Sequence, residues 1–542
     1  MPENMENQPK IMYGERLREF HKKMENEPSL GFIEKMLGAF PDAEVYLVGG
    51  AVRDAAMGQI KQKDYDFVVR GVTGENLEKF LEKRGDVVLV GKNFGVYKFM
   101  PRGMKLEEPI DVALPRTEHS LGTGGGYRDF KVQSDPNMPL EKDLLRRDFT
   151  VNAMAWDLKN GRLVDPFGGL GDLEAKVLRA VGEPKERFRE DYSRMLRALR
   201  FASQFGFEIE EKTFAVIQKM IGRLNDERQE GPRKEFVVPR ETVARELLKA
   251  FWHDPVRAFE LYERSGAMAE LIPEMFFMKG CPQPPNFHSE GDVWTHTRIA
   301  LTNLKSGEFR EQFGGARPSA EVIMAVTFHD LGKPPTMKTP ERDGTDRIRF
   351  DEHDVIGGKM AEEICRRLKL DSMPEGSMFR AEPKRVRMMV EKHMLLVQGV
   401  ITEMRNSTIE KYFFNPNFPG DGLLQLTFAD ALATIPEVGQ PNLENFKAML
   451  QRIEQLRSLV AEKNRLPAPV LDGNEIMKYF RLKPGPKVGE LIAVLREAQL
   501  SGEVGAADEP TEERKKKGFE VLEKYVKINP VVKLKIKNQN TK

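Results

Sequence analysis

The period of apolar and polar positions changes along the chain. The first 30 or so residues are polar and read as a mobile or helical extension. Phe32 to Phe40 carries apolar residues at helical spacing and is closed by Pro41. EVYLVGG (44–50) reads as a short buried strand ended by two glycines, AVRDAAMG as the start of a helix, and DYDFVV (64–69) as a second strand with a β-branched end. Strand and helix signals alternate to about Pro166, the pattern of an α/β or α+β unit. After Asp172 the strand signals fade. DYSRMLRALRFASQFGF places Met195, Leu196, Leu199 and Phe201 at helical spacing. TFAVIQKMIGRL, RETVARELLKAF and DPVRAFELYERSGAMAELI continue as helices, so the remainder is expected to be almost entirely α. CPQPPN (281–286) and LPAP (466–469) read as breaks. No internal repeat is evident.

Composition narrows the class. A chain of 542 residues, 40% hydrophobic and 31% charged, is long enough for roughly three or four domains with sizeable cores. Lys plus Arg is 85 and Asp plus Glu is 84, a net charge of +1. That balance excludes a uniformly basic nucleic-acid coat and leaves room for a local basic groove beside an acidic site. No apolar run approaches the ~18 residues of a membrane helix, and MPENMENQPK lacks a signal-peptide core. Cys281 and Cys365 are too few for a disulfide framework. A soluble, reduced, cytoplasmic protein is expected. From Arg514 onward ten Lys or Arg face Glu520 and Glu523. Such a tail is a solvated end or an RNA contact.

Two segments carry chemistry. In the first, Gly49-Gly50 precede Arg53-Asp54, and Asp64 and Asp66 follow two residues apart on a strand, a spacing that puts both carboxylates on one face. Paired carboxylates suit Mg²⁺, which takes oxygen ligands and shares them with substrate phosphates. A glycine turn lets backbone N–H groups approach a phosphate. DLLRRDFTVNAMAWD (143–157) then places Arg146, Arg147, Asp148 and Asn152 before an apolar run, and DPFGGLGDL (165–173) follows. EDYSRMLRALRF (190–201) sets Asp191, Arg194 and Arg197 three residues apart, roughly along one helix face. There, donors and acceptors could read a base edge and a further arginine could hold a triphosphate. Taken singly, each pattern is more often a solvated strand end or a salt-bridged solvated face than a site.

In the second segment, six of the eight histidines lie between His253 and His393. His288 and His296 sit in NFHSEGDVWTHT. His329-Asp330 follow in TFHDLGK, then His353, His393 and Asp430. Imidazoles with carboxylates in a helical region suit a divalent-metal hydrolase centre, because ligands on facing helices converge in a bundle core. A metal-free, packing-only version of the same arrangement is the alternative.

The ordered set LVGGAVRD, DYDFVV, DLLRRDFTVNAMA, DPFGGLGDL and EDYSRMLRALRF resembles the bacterial class II CCA-adding tRNA nucleotidyltransferases and their poly(A) polymerase relatives, over roughly Glu44 to Phe251. PRTEHSLGTGGGYRDF is similar to that family's flexible loop. The histidine series resembles the HD phosphohydrolases, and QPPNFHSEGDVWTHT the version fused to such transferases.

The resemblance implies an α+β fold: a polymerase-β-like head of mixed sheet and helices, then a mostly α neck, body, HD domain and C-terminal region. The expected segments are 1–40 (extension), 41–170 (head), 171–280 (neck and RNA-binding body), 287–435 (HD) and 436–542 (C-terminal region with basic tail). It implies template-independent addition of CCA to tRNA from CTP and ATP, with no membrane and no obligate protein partner. By motif, Asp64 and Asp66 would bind Mg²⁺. Gly50, Arg53 and Arg147 would contact the nucleotide, and Asp191 and Arg194 would read the base with Arg197 beside them. Asp111 in PIDVAL sits where a third carboxylate could approach. His296, His329, Asp330 and Asp430 would hold a divalent metal (Mg²⁺, Mn²⁺ or Ni²⁺), with His353 and His393 as a second-metal or substrate set, for hydrolysis of phosphate esters at RNA ends. FRLKPGPKVGELIAVLREAQLSGEV (480–504) would support the acceptor arm or pack as a helix pair. Two alternatives stay open: a poly(A) polymerase or partial CC- or A-adding enzyme, and an RNA-binding protein with a vestigial head.

Overall fold

The computed structural model describes residues 8–59, 65–90, 95–120, 130–230, 232–396, 401, 404–461, 469–505 and 511–529. Asp64, positions 121–129 of the glycine-rich loop, most of LPAP and the tail from 530 lie outside the described residues. The chain forms two compact units, Met1–Phe276 with Arg366–Arg380, and Phe277–Cys365 with Ala381–Lys542.

The first unit is built on a seven-stranded mixed sheet. Its strands are β1 (Glu44–Val48), β2 (Asp66–Arg70), β3 (Gly85–Val90), β4 (Val96–Pro101), β5 (Ile110–Ala113), β8 (Ala155–Asp157) and β9 (Arg162–Val164), in the order β3-β4-β5-β2-β1-β8-β9. A separate antiparallel hairpin pairs β6 (Arg116–Ser120) with β7 (Phe130–Ser134). β1 and β2 run antiparallel, whereas β2 and β5 run parallel with Asp66 opposite Asp111. β1 is apolar on both faces, with Val45, Tyr46, Leu47 and Val48 all buried, as a central strand covered on both sides must be. Tyr46, Val48 and Val68 pack on Leu140, Leu144 and Val181.

The polar N-terminal stretch is a helix, α1 (Gln8–Glu25). Among its described side chains it buries Leu17, Phe20 and Met24, and His21 Nδ1 accepts from Trp156 Nε1 at 3.1 Å. So narrow an apolar stripe explains why the segment reads as polar. The GG turn leads into α2 (Gly50–Ala56), and beyond the sheet come α3 (Pro184–Glu190), α4 (Ser193–Phe205) and α5 (Arg240–His253). Met195, Leu196, Leu199 and Phe201 are buried, the expected stripe of α4. Helix is not continuous after Asp172. Glu227–Glu230 pairs with Arg233–Phe236 as a hairpin that sets Arg228 opposite Glu235 and carries no apolar alternation to announce it.

The second unit is helical. Around its centre lie α6 (Val293–Asn303), α7 (Ala320–Phe328), α8 (His353–Arg367), α9 (Pro383–Lys392) and α10 (Gly420–Ala433). Asp292 caps α6 by accepting from Thr295 N at 2.8 Å, and Ser319 caps α7. α7 is buried from Val322 to Phe328 on every side, so it is the core helix. Toward the C-terminus α11 (Gly473–Phe480), α12 (Pro486–Leu500) and α13 (Thr511–Ile528) enclose a core of their own with Leu471, Phe480, Leu495 and Leu522. KPGP is the turn before α12, and the first half of the basic end is the packed helix α13. Among the described residues no helix is long and apolar enough to cross a membrane.

Candidate active sites

The first site is a cleft of about 720 Å³ lined by Gly49, Gly50, Arg53, Asp66, Arg147, Asp148, Asn152, Asp191, Arg194 and Arg197, together with Arg200, Phe201, Thr242 and Arg245. β1 ends at Val48, and Gly49 turns the chain at φ +74°. A Cβ at Gly49 would stand 2.7 Å from the Arg147 guanidinium, so the turn serves both a left-handed backbone and an arginine packed against it.

Arg53, on the first turn of α2, is buried and donates from NH1 to Asn152 Oδ1. Asn152 Nδ2 donates to Asp148 Oδ1 at 3.0 Å, and Arg197 donates to Asp148 Oδ2 from Nε at 2.8 Å and from NH2. The chain Arg53–Asn152–Asp148–Arg197 thus crosses the cleft floor from α2 to α4. Phe201 lies beneath it, with the Arg53, Arg197 and Arg200 guanidiniums 5.3, 5.3 and 3.8 Å from its ring centroid. Burial opposes charge on Asp148, but Arg197, Asn152 and Arg194 hold its carboxyl well below the usual range. Burial lowers Arg147, against the pull of Asp143, 3.7 Å away.

Asp66 opens β2 beside Asp111 on β5, and Lys98 pairs with Asp111 at 2.8 Å. A second cleft of about 250 Å³ reaches Asp111 and Arg116 and shares Asp66, Arg146 and Arg147 with the first. Asp66 therefore stands where two clefts meet. Asp191 corrects the expectation of one helix face. It precedes α4 in extended conformation (φ −148°) and accepts from Ser193 N at 2.8 Å, so it starts the helix rather than lying along it. Arg194 donates to Glu190 at 2.8 Å and to the Arg146 carbonyl at 2.9 Å, which ties α4 to the RRD segment.

The second site gathers the histidines at helix ends. His296 is in the first turn of α6, and His329 and Asp330 follow α7. His353 opens α8, His393 follows α9, and Asp430 is in the last turn of α10. His296 Nε2 is 2.9 Å from Asp430 Oδ1, and His329 Nε2 is 3.3 Å from Asp330 Oδ2 and 3.6 Å from Asp430 Oδ1. His353 and His393 Nε2 lie 3.7 and 3.8 Å from Asp330 Oδ1. One oxygen of Asp330 faces each histidine pair.

The outer nitrogens are all engaged. His329, His353 and His393 Nδ1 meet the carbonyls of Val326 (2.8 Å), Phe350 (2.8 Å) and Val390 (2.7 Å), and His296 Nδ1 meets Glu290 Oε1 at 2.8 Å. A carbonyl only accepts, so the Nδ1 atoms of His329, His353 and His393 carry the hydrogen, and in the neutral ring their Nε2 presents a lone pair inward. His353 and His393 then oppose lone pairs across 3.3 Å. Burial first, then the neighbouring His353 and His329, lowers His393 to about 4, so a proton does not relieve the contact at neutral pH. Burial disfavours charge on His329, yet Asp330 and Asp430 pull it up to about 10. The same carboxylates would hold a cation. His329 Nε2 and Asp330 Oδ1 are buried without a hydrogen-bond partner among the described residues. This donor set fits a divalent metal.

Known proteins give the architecture a lineage. The Poly A polymerase head domain family matches residues 45–179. The Multifunctional CCA protein of Alkalilimnicola ehrlichii is 36% identical over 330 residues, 60% of this chain and 70% of that protein. That of Halorhodospira halophila is 37% identical over 332 residues, 60% and 69% of the two. The chain belongs to the multifunctional CCA protein family. As a family member it is a nucleotidyltransferase. The fold extends the likeness: a Thermotoga maritima CCA-adding enzyme complexed with tRNA superposes with a TM-score of 0.53 at 21% identity, over 92% of this chain and 96% of that one. A Bacillus stearothermophilus CCA-adding enzyme in complex with CTP gives 0.51 at 20%, over 92% and 98%.

Within this member of the CCA family, tertiary structure also brings to the sites several residues to which the motifs assign no role. Arg200 continues the three-residue arginine spacing one step past Arg197, a signal that was available. Glu246 and Arg245 on α5 had none, since they lie some 45 positions further on in an ordinary amphipathic helix. At the histidine centre, Lys333 pairs with Asp330 Oδ2 at 2.7 Å and donates to Gln283 Oε1 at 2.7 Å. Although burial disfavours charge on Glu290, hydrogen bonds from His288 and His296 hold it down at about 2. Lys333 was legible as the lysine one turn after the HD pair.

Proposed function

We propose that the chain adds CCA to tRNA 3′ ends from CTP and ATP, in the cytoplasm and without an obligate protein partner. The observation that carries this reading is the position of Asp66, between an arginine-lined cleft wide enough for a nucleotide and a second cleft for the RNA end. Asp64 and Asp66, with Asp111 opposite Asp66, would hold Mg²⁺, which when bound acidifies the attacking hydroxyl and neutralises the departing pyrophosphate. Arg53, Arg147 and Arg197 hold the triphosphate with the backbone at Gly50, at fixed positions and therefore without reorganisation during the reaction. Asp191 and Arg194 face the base. The RNA 3′-hydroxyl attacks the α-phosphorus in line, its proton goes to solvent, and the bond to the β,γ-pyrophosphate breaks.

The test uses tRNA transcripts ending before CCA, after C and after CC, with Mg²⁺ and labelled CTP or ATP. Growth that stops at CCA on all three, and its loss in Asp64→Ala/Asp66→Ala, is the expected result. Long A tails would favour poly(A) synthesis, and stalling after CC or at the A step alone a partial enzyme. No incorporation with retained tRNA binding would favour a vestigial head.

The histidine centre supports a second activity, hydrolysis of phosphate esters at RNA ends with two divalent ions. The facing Nε2 lone pairs of His353 and His393 carry this reading. His296, His329, Asp330 and Asp430 would hold one ion, and His353, His393 and the other Asp330 oxygen the second. Bound ions would supply an ionised water and polarise the ester. Lys333 adds a buried positive charge at the same place, and Glu290 fixes the His296 ring. Metal analysis after loading with Mn²⁺ or Ni²⁺, with hydrolysis of RNA ending in a 3′-phosphate or a 2′,3′-cyclic phosphate, tests it. No tightly bound metal and no hydrolysis would leave a packing-only domain.

A further inference from the structure

Helix α5 reaches the nucleotide cleft with one buried carboxylate. Glu246 is 2% exposed. Its Oε2 accepts from Arg200 Nε at 2.5 Å and its Oε1 from Arg245 Nε at 3.2 Å. Arg200 also donates from NH1 to Gln204 Oε1 at 2.9 Å, and its guanidinium lies 3.8 Å from the Phe201 ring centroid.

Three guanidiniums share that one ring and repel each other unless each has a counter-charge. Arg53 has Asp54 (Nε to Oδ1, 2.8 Å) and Arg197 has Asp148. Arg200 depends on Glu246, the one counter-charge of the three that comes from the body helix. Burial disfavours ionisation of Glu246, and Arg200, Arg197 and Arg245 overcome it and lower its pKa. A buried ion pair contributes little net stability compared with apolar packing, so its presence at a cleft wall is better accounted for by orientation. Beside it, Thr242 and Arg245 line the same cleft, and the Arg245 side chain is 45% exposed.

We infer that Glu246 is a positioning residue for nucleotide binding: it holds Arg200 on Phe201 and aims Arg245 into the cleft, so that α5 takes part in gripping the incoming nucleoside triphosphate and does not merely support RNA. The inference rests on the nucleotidyl-transfer reading. Arg245 is the additional phosphate contact, and Arg200 keeps the Phe201 floor rigid beneath Arg53 and Arg197.

The test compares full-length wild type, Glu246→Gln, Glu246→Asp and Arg245→Ala in single-nucleotide incorporation on a tRNA lacking CCA. KM and kcat are measured for CTP, and equilibrium binding of labelled CTP and the thermal midpoint alongside. Glu246→Gln should raise KM and the CTP dissociation constant on the order of tenfold, the effect of about one lost charged contact, with a smaller change in kcat. Glu246→Asp should recover part of the loss. Arg245→Ala, at an exposed position, should weaken CTP binding with an unchanged midpoint. Wild-type KM and CTP affinity in Glu246→Gln and Arg245→Ala would overturn the inference, whatever happens to the midpoint. If wild type incorporates nothing, the nucleotidyl-transfer reading fails on its own account, and CTP binding by the same variants still decides the role of Glu246.

Discussion

Asp148 is the hub of the first site, and replacing it with Asn separates fold from function. Its carboxylate accepts two bonds from Arg197, one from Asn152 Nδ2 at 3.0 Å and one from Phe149 N at 2.9 Å, at 7% exposure. An amide of the same shape keeps one acceptor oxygen, turns an NH₂ group toward donors and removes the charge facing Arg197. Breaking a buried ion pair costs about 3–5 kcal/mol. Arg197 leaves 34% of its side chain in solvent, which screens the pair, so the low end, about 3 kcal/mol, applies. For the first unit, Met1–Phe276 with Arg366–Arg380, that is a fall of roughly 5 °C in midpoint. The bonds from Asn152 and Phe149 N both go to Oδ1, so the remaining oxygen keeps them and the loss falls on Arg197; misplacing that guanidinium should lower kcat/KM for CTP about 100-fold. The decisive comparison is Asp148→Asn/Arg197→Met. Removing both charges and leaving an apolar chain on Phe201 should bring the midpoint back to within about 1 kcal/mol of wild type, with activity still lost. Calorimetry of the whole chain serves as the assay, the relevant transition being the one that Mg²⁺ and CTP shift upward. A single variant within about 1 kcal/mol of wild type, or a double variant no more stable than the single, would refute the account of Asp148 as a paired buried charge.

Other consequences can be checked separately. The depressed Asp148 carboxyl contributes stability in full above the ordinary aspartate pKa of about 4 and loses it as pH falls toward its folded value; between pH 5 and 3 the wild-type midpoint should therefore drop further than that of Asp148→Asn. Asp66→Ala should abolish incorporation and leave hydrolysis at the histidine centre unchanged, and parallel loss of both would mean that the variant misfolds. A Cβ at Gly332 would lie 2.0 Å from the His353 carbonyl and 2.7 Å from Gly357 N, both backbone. Gly332→Ala should displace the start of α8 and lower bound metal from two ions per chain to one. His393→Ala should do the same without moving α8, and two retained ions in either variant would refute His353 and His393 as holders of the second ion.

Much of this protein was legible before any coordinates. The GG turn, the arginine-rich segment before NAMA and the spaced histidines carry chemistry in residue type and short-range spacing, and the burial of Met195, Leu196 and Leu199 follows from period alone. Those signals are local: a backbone turn and a helix stripe are set by a few neighbouring residues. The polar N-terminus read only as mobile or helical, and the hairpin at 227–236 and the place of Asp191 were not legible in this way. The first two carry a thin apolar pattern or none, and Asp191 left the helix because its carboxylate does better accepting from Ser193 N than continuing the turn.

By itself, then, the sequence determined which residue types are available for metal and phosphate chemistry and which stretches form strand or helix. Tertiary structure alone decided who stands beside whom. It set Asp66 opposite Asp111 across a parallel pair, joined Arg53 to Arg197 through Asn152 and Asp148, gave each histidine pair one oxygen of Asp330, and brought Glu246 to Arg200 from another helix. The physical reason is range. Helix and strand preferences act over a few residues, whereas a buried charge must find its counter-charge wherever packing brings one within about 3 Å, and that partner's distance along the chain leaves no periodic trace.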